Sequence, residues 1–164
     1  MFDALESALS LLPQWLALDD WSTLHVTYEA PEVERLWRPW ADYRVLLHVI
    51  HPCQSPLYHP HPWPSVVKVL AGAYEMKVGH GAGLAEPPVA MTILAGPGTT
   101  YAMTDRDAWH SVRPLGRPSY SVMLAGRPWG REMPREGHPP QGPLAPARRD
   151  ALLQQFAALL GARA

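Results

Sequence analysis

The chain is poor in several features, and each shortage narrows what it can be. Cys53 is the only cysteine, which excludes an internal disulfide and a cysteine-rich zinc module and suits a reducing compartment. No run approaches the roughly 18 uncharged apolar residues of a membrane span. The opening MFDALESAL has no basic segment ahead of an apolar stretch, so no secretory leader is expected there. Excess charge is missing too. Fourteen basic residues face 15 acidic ones for a net charge of -1, leaving no protein-wide field for a nucleic acid or an anionic membrane to hold. Only Lys68 and Lys77 are lysines among the basic residues. These absences point to a soluble, cytoplasmic protein that partners neither a nucleic acid nor a membrane.

What is present fits one domain. The 164 residues are 47% apolar, enough for one core. Nineteen prolines and 12 glycines make the chain turn-rich without reaching the composition of a disordered segment. Residues 1–20 read as an N-terminal helical segment, with Phe2, Leu5, Leu9, Leu12 and Leu16 on one stripe and Asp3 and Glu6 at capping-box spacing. Pro13 is expected to break it, because an interior proline removes a donor and clashes with the preceding turn. From residue 22 the period falls to two: Leu24, Val26 and Tyr28 alternate with Thr23, His25 and Thr27, which turns His25 to water.

Apolar runs then follow over Tyr43 to Ile50, Val66 to Val78, Val89 to Leu94, Trp109 to Leu115 and Tyr120 to Ala125, with a short strand over Thr99 to Met103. The spacers are Gly79 to Gly83, Ala95 to Gly98, Thr104 to Asp107 and Gly116 to Pro118. No helical pattern separates these runs, so the sheet is expected to be antiparallel, a sandwich or barrel over 22–126. Residues 127–164 read as a proline-rich arm, to about residue 148, followed by a C-terminal helix with a Leu152, Leu153, Phe156, Leu159, Leu160 stripe.

The stretch richest in chemistry is YHPHPWPS, Tyr58 to Ser65. His59 and His61 sit two apart, which on a strand places both imidazoles on one face at about 6.6 Å spacing. Both precede prolines, as does Trp63, and proline drives the residue before it into extended geometry. Polyproline II geometry would instead turn the two rings about 120° apart, so a shared ion requires the β branch. Pro60 and Pro62 donate nothing to a ladder, which places the segment at a strand edge or mouth. A third donor has to come from another strand, and His110 in AWHSV is the candidate.

Here the chain resembles the cupin superfamily. The first cupin motif reads G-x5-H-x-H-x3,4-E-x6-G, and Cys53, His59, His61, Ser65 and Gly72 fall at those offsets. Histidines and final glycine match, while cysteine replaces the first glycine and serine the glutamate. Of the second motif, G-x5-P-x-G-x2-H-x3-N, only His110 survives strictly. Gly98 opens it with one inserted residue, Thr104 to Asp107 replaces the proline-glycine turn, and Pro114 stands at the asparagine. The resemblance spans about residues 43 to 125 and implies a single all-β domain over 1–164: a small antiparallel jelly-roll barrel with short N- and C-terminal helices.

It also implies one divalent transition metal on His59, His61 and His110, with Fe(II) favoured and Zn, Ni or Mn as alternatives. Without the glutamate, three neutral imidazoles leave the ion's full charge for an anionic ligand. That ligand set is similar to those of thiol and diketone dioxygenase cupins, and implies a mononuclear non-haem iron dioxygenase acting on a small anionic substrate. Two other readings stay open: a cupin that holds or senses a ligand without turnover, and a metal-independent isomerase-type cupin. Cupins commonly pair, so a homodimer is expected.

Around these ligands, Trp63, Ser65 and Trp109 are candidates to line the substrate pocket. His48 reads as a core histidine or a pocket residue, and His51 as a possible fourth ligand. Arg44 shares parity with His48. If that face is interior, it would clamp a carboxylate, since an unpaired buried guanidinium is costly; if not, it is a surface residue. Tyr101 and Tyr120 are candidate pocket hydroxyls. Cys53 reads as a small buried hydrophobe, and His80 and His138 as solvated loop residues.

Overall fold

A computed structural model describes residues 1–27, 30–131 and 142–161. Tyr28, His138 and residues 132–141 of the proline-rich arm therefore lie outside the described residues. Helix α1 (Phe2–Trp15) is followed by ten strands: β1 (Ser22–Val26), β2 (Val33–Trp40), β3 (Tyr43–Ile50), β4 (His59–Pro60), β5 (Ser65–Ala71), β6 (Tyr74–His80), β7 (Val89–Ala95), β8 (Thr100–Met103), β9 (Ala108–Pro114) and β10 (Ser119–Ala125). Helix α2 (Pro146–Gly161) closes the chain. Every strand pair is antiparallel. The strands form a six-stranded sheet, β1-β2-β3-β10-β5-β8, and a four-stranded sheet, β4-β9-β6-β7.

The larger sheet is covered on both faces, which explains why β3 and β10 read as continuous apolar runs. On its outer face Leu36, Val45, Leu47, Val49, Val122 and Leu124 pack under Leu5, Ala8 and Leu12 of α1 and Leu152 and Phe156 of α2. Its inner face meets the smaller sheet, where Val69 joins Tyr74, Met76, Ala95 and Val112 in a second core. Leu46, Val67, Met123 and Ala125, with Trp37, Trp63 and Tyr101 against them, fill the rest of the inner face. Residues 44, 46 and 48 of β3 thus point into the barrel, and 45, 47 and 49 point to the helices.

Several local expectations need correction. Pro13 lies inside α1. It falls two residues from the helix end and is exposed, so only the Leu9 carbonyl loses its partner while the buried Leu5, Ala8 and Leu12 hold the helix on the sheet. The capping box does not form. Met1 is the N-cap, with no side-chain cap bond, and Glu6 instead pairs with Lys68 Nζ at 2.8 Å. The run Val66 to Val78 is two strands, divided at Gly72, whose φ is 72°. A Cβ there would come within 2.5 Å of the Pro118 carbonyl oxygen, so the glycine that ends the cupin motif lets the chain leave one sheet for the other. Gly79 belongs to β6, where a Cβ would meet the Tyr58 hydroxyl. Helix α2 begins at Pro146, inside the expected arm, using proline as a first helical residue. Strand β2 was not anticipated.

Candidate metal centre

Strand β4 is an edge of the smaller sheet, and His59 on it lies directly opposite His110 on β9. It is only two residues long, because Pro60 and Pro62 have no N–H for the ladder. The chain nevertheless stays anchored: the Pro62 carbonyl accepts from Trp129 N–H at 3.0 Å and the Pro64 carbonyl from Gly126 N–H at 2.8 Å. His61 is thereby held one turn of the pleat beyond His59, with ring centroids 6.3 Å apart and planes at 26°. The His110 ring stands between them, 4.8 Å from His59 and 4.5 Å from His61. The three residues offer ligand nitrogens that all lie within 4.8 Å of one another.

The ring nitrogens are arranged for donation. His59 Nδ1–H donates to the Leu57 carbonyl at 3.2 Å, which leaves Nε2 with a free lone pair. His61 Nδ1 is hydrogen-bonded to the Ser65 hydroxyl at 2.9 Å, and Ser65 is fully buried. With Nδ1 as the donor, Nε2 of His61 is free as well. Buried His110 has an Nδ1 with no hydrogen-bond partner. Burial pushes the pKa of all three rings down, His61 to about 3, with each histidine's neighbours adding repulsion. The imidazoles are neutral, as ligation requires. Converging neutral donors, two of them fixed by a bond at the far nitrogen and one with an orphaned buried nitrogen, fit a divalent transition metal.

Ser65, at the glutamate's place in the motif, sits behind His61 as its hydrogen-bond partner and not as a ligand. His48 faces inward beside the set, with its Nε2 accepting from Arg35 Nε at 2.8 Å. Burial and the charge of Arg35 keep it neutral. Arg35 also depresses His59 and His61, so its guanidinium lies within electrostatic reach of both. Sequence reasoning missed Arg35 because it missed β2. The only available signal was Arg35 and Trp37 at strand parity around Leu36.

Arg44 points into the barrel, with its Cζ 4.3 Å from the centroid of the Trp63 ring. That ring lies 6.4 Å from His61. Tyr101 is also inside, accepting a 2.8 Å bond from the Tyr74 hydroxyl, and burial pushes its own pKa up to about 12.

Three candidates fall elsewhere. Trp109 follows strand alternation to the opposite face from His110, where it is fully buried, donates to the Gly81 carbonyl at 2.9 Å and packs near Tyr58 and Arg131. Tyr120 faces the helices, against Phe156 at 5.8 Å. His51 turns to the outer side and bonds Glu34 at 2.9 Å. Cys53 is half-buried and outside the histidine group, with its thiol pKa raised by burial. His80 is exposed beside Asp105.

The described strands place no carboxylate on the inner face. The described strands contain two acidic residues, and both leave the barrel. Glu34 is held by Arg148 of α2 through two 2.6 Å bonds, and Glu75 alternates with buried Tyr74 and Met76 and pairs with Arg113 at 3.2 Å. The site is therefore lined by neutral histidines and two guanidinium groups.

No family model matches the chain, and no curated protein matches it by sequence. Solved structures do. The hydroxypropylphosphonic acid epoxidase of S. wedmorenis superposes with a TM-score of 0.51 at 14% identity, over 65% of this chain and 56% of that one. A structure of Fe(II)-HppE with the alternative substrate (S)-1-HPP gives 0.53 at 12% identity over the same shares. A DMSP lyase structure gives 0.49 at 17% identity, over 65% of this chain and 53% of that one. The match thus spans little more than half the length of these proteins, and at such identities the likeness speaks to fold. No helix among the described residues is long and apolar enough to cross a membrane. Two facing antiparallel sheets with His59, His61 and His110 gathered between them give this chain the cupin jelly-roll fold, with three histidines placed where they could hold a metal ion.

Proposed function

We propose that the protein is a mononuclear non-haem iron dioxygenase acting on a small anionic molecule. The observation that carries this reading is the composition of the barrel interior: three converging neutral imidazoles, Arg35 and Arg44 nearby, and no carboxylate on the inner face of the described strands. An interior of that kind attracts an anion and leaves it nothing to be repelled by. The epoxidase of similar fold has a phosphonic acid in its name, and a matching structure is named as Fe(II)-HppE, which supports the same direction.

A divalent iron on the three histidines would supply Lewis acidity and one-electron chemistry toward a chelated anion and dioxygen. The chain's own contribution is positioning. Ser65 and the Leu57 carbonyl aim two ligand rings, His48 accepts from Arg35 and so fixes that guanidinium, and Leu46, Val67 and Met123 keep the floor dry. Action as a homodimer in the cytoplasm completes the proposal, and light scattering that returned a monomer would remove its dimeric part.

The test is oxygen consumption. Protein reconstituted with iron under anaerobic conditions and screened against thiols, β-diketones and catechol-type acids is expected to take up oxygen with at least one class. Binding of a class without any uptake would favour the ligand-holding alternative.

A further inference from the structure

We propose that the protein pairs with a second copy of itself along β7, strand against strand and antiparallel, about a two-fold axis at Thr92. The smaller sheets of the two copies then become one continuous sheet. This rests on the dimeric part of the proposed function, to which it assigns a surface, and not on the metal or its chemistry.

Strand β7 is the outer strand of the smaller sheet and is bonded to β6 on one side. Its seven residues make an edge about 24 Å long at about 3.4 Å rise. Alternate N–H and C=O groups along it point away from β6, and among the described residues no backbone group outside β6 bonds to residues 89–94. The edge is also apolar. Val89, Ala90, Met91, Thr92 and Leu94 are exposed, Leu94 at 69%. No charged residue occurs between Glu86 and Asp105. Of the eight large apolar side chains exposed among the described residues, four (Leu84, Val89, Met91 and Leu94) lie on this strand or in the loop that leads to it.

Free sheet edges are ordinarily blunted by charge, proline, a covering segment or shortness. The other edges of this fold obey that rule: Pro60 and Pro62 interrupt β4, Gly142 bridges β1 at His25, and β8 has four residues. Strand β7 does not. Addition of one copy's β7 to another's β4 would build an open fibre, but β4 lacks the donors to receive a strand, so β7 closes on another β7 and the assembly stops at two. About Thr92, the antiparallel pair sets Thr92 against Thr92, Met91 against Ile93, and Leu94 against Ala90 of the second copy. Threonines pair favourably across strands, and the most exposed leucine meets a small residue. The area covered is below about 1,200 Å², the class of weak and reversible interfaces, which sets the dissociation constant in the micromolar range.

Sedimentation equilibrium across that range tests the pairing, with thermal melts of dilute protein as the control for folding. Wild-type protein is expected to pass from monomer to dimer as concentration rises. Thr92→Lys and Thr92→Glu, at an exposed position, should each melt like the wild type when dilute and weaken dimerisation at least tenfold, because the two-fold axis brings like charges face to face. An equimolar mixture of the two variants should restore a dimer with one copy of each, which a merely damaged surface would not do. A wild-type monomer throughout would overturn the proposal together with the dimeric reading, and leave the edge to an extended segment of another protein. A wild-type dimer that both variants retain would overturn the β7 pairing and leave the dimeric reading standing on another surface. Loss of the dimer in both variants without recovery in the mixture would overturn the antiparallel register about Thr92.

Discussion

Replacing Ser65 with alanine is expected to weaken metal binding ten- to a hundredfold, about 1.4–2.8 kcal/mol, the usual effect of removing the group that orients a ligating histidine. The hydroxyl is 2.9 Å from His61 Nδ1 and fully buried, so no water replaces it easily, and without it the imidazole can rotate or change tautomer and withdraw its lone pair. Alanine removes only one atom from the site, so the fold should persist. The assay is competition for zinc or cobalt against a chromophoric chelator at fixed pH, with a thermal melt of the metal-free variant as control. Threonine at the same position keeps the hydroxyl and should retain most of the affinity. Alanine and wild-type proteins with equal affinity would refute the claim that Ser65 positions His61.

Gly72→Ala places a Cβ 2.5 Å from the Pro118 carbonyl oxygen at a φ of 72°, and should destabilise the protein by about 2 kcal/mol or more, lowering Tm by about 4–8 °C; an unchanged melt would contradict it. Glu34→Gln weakens the two 2.6 Å bonds to Arg148 and the bond to His51, and should cost about 2–4 kcal/mol in urea unfolding; equal midpoints would show that α2 does not depend on this clamp. In metal-free protein the pKa values of His48, His59, His61 and His110 lie below the ordinary 6.5, that of His61 at about 3. The unfolded chain therefore binds more protons in that window. Stability from these groups is complete above about pH 6.5 and is lost as pH falls toward 3, so the urea midpoint should drop between pH 7 and 4.5. A midpoint that held or rose there would contradict the burial of neutral rings.

Legibility in the sequence followed the number of covered faces. Strand β3 was readable to its ends, Tyr43 and Ile50, because a sheet buried on both sides leaves an unbroken apolar run. Strand β2, VERLWRPW, was not, because its charges serve both sides: Glu34 reaches out to α2, Arg35 reaches in to His48, and neither parity stays apolar. Losing β2 hid Arg35 from the site. The three histidines were readable from H-x-H, its prolines and one strand-borne partner. The facing of Tyr120 and Trp109 was not, since in both strands the neighbours on either parity are buried and alternation carries no signal. Ser65 was placed near the site by motif offset, but its role behind His61 depends on a contact four residues apart that only the bend after β4 creates.

The central claim is that His59, His61 and His110 hold one metal ion between the two sheets. Elemental analysis of protein purified without an affinity tag, set beside a His59→Ala, His61→Ala double variant, tests it most directly. About one transition-metal ion per chain in the parent and none in the variant is the predicted result; the same stoichiometry in both would contradict it.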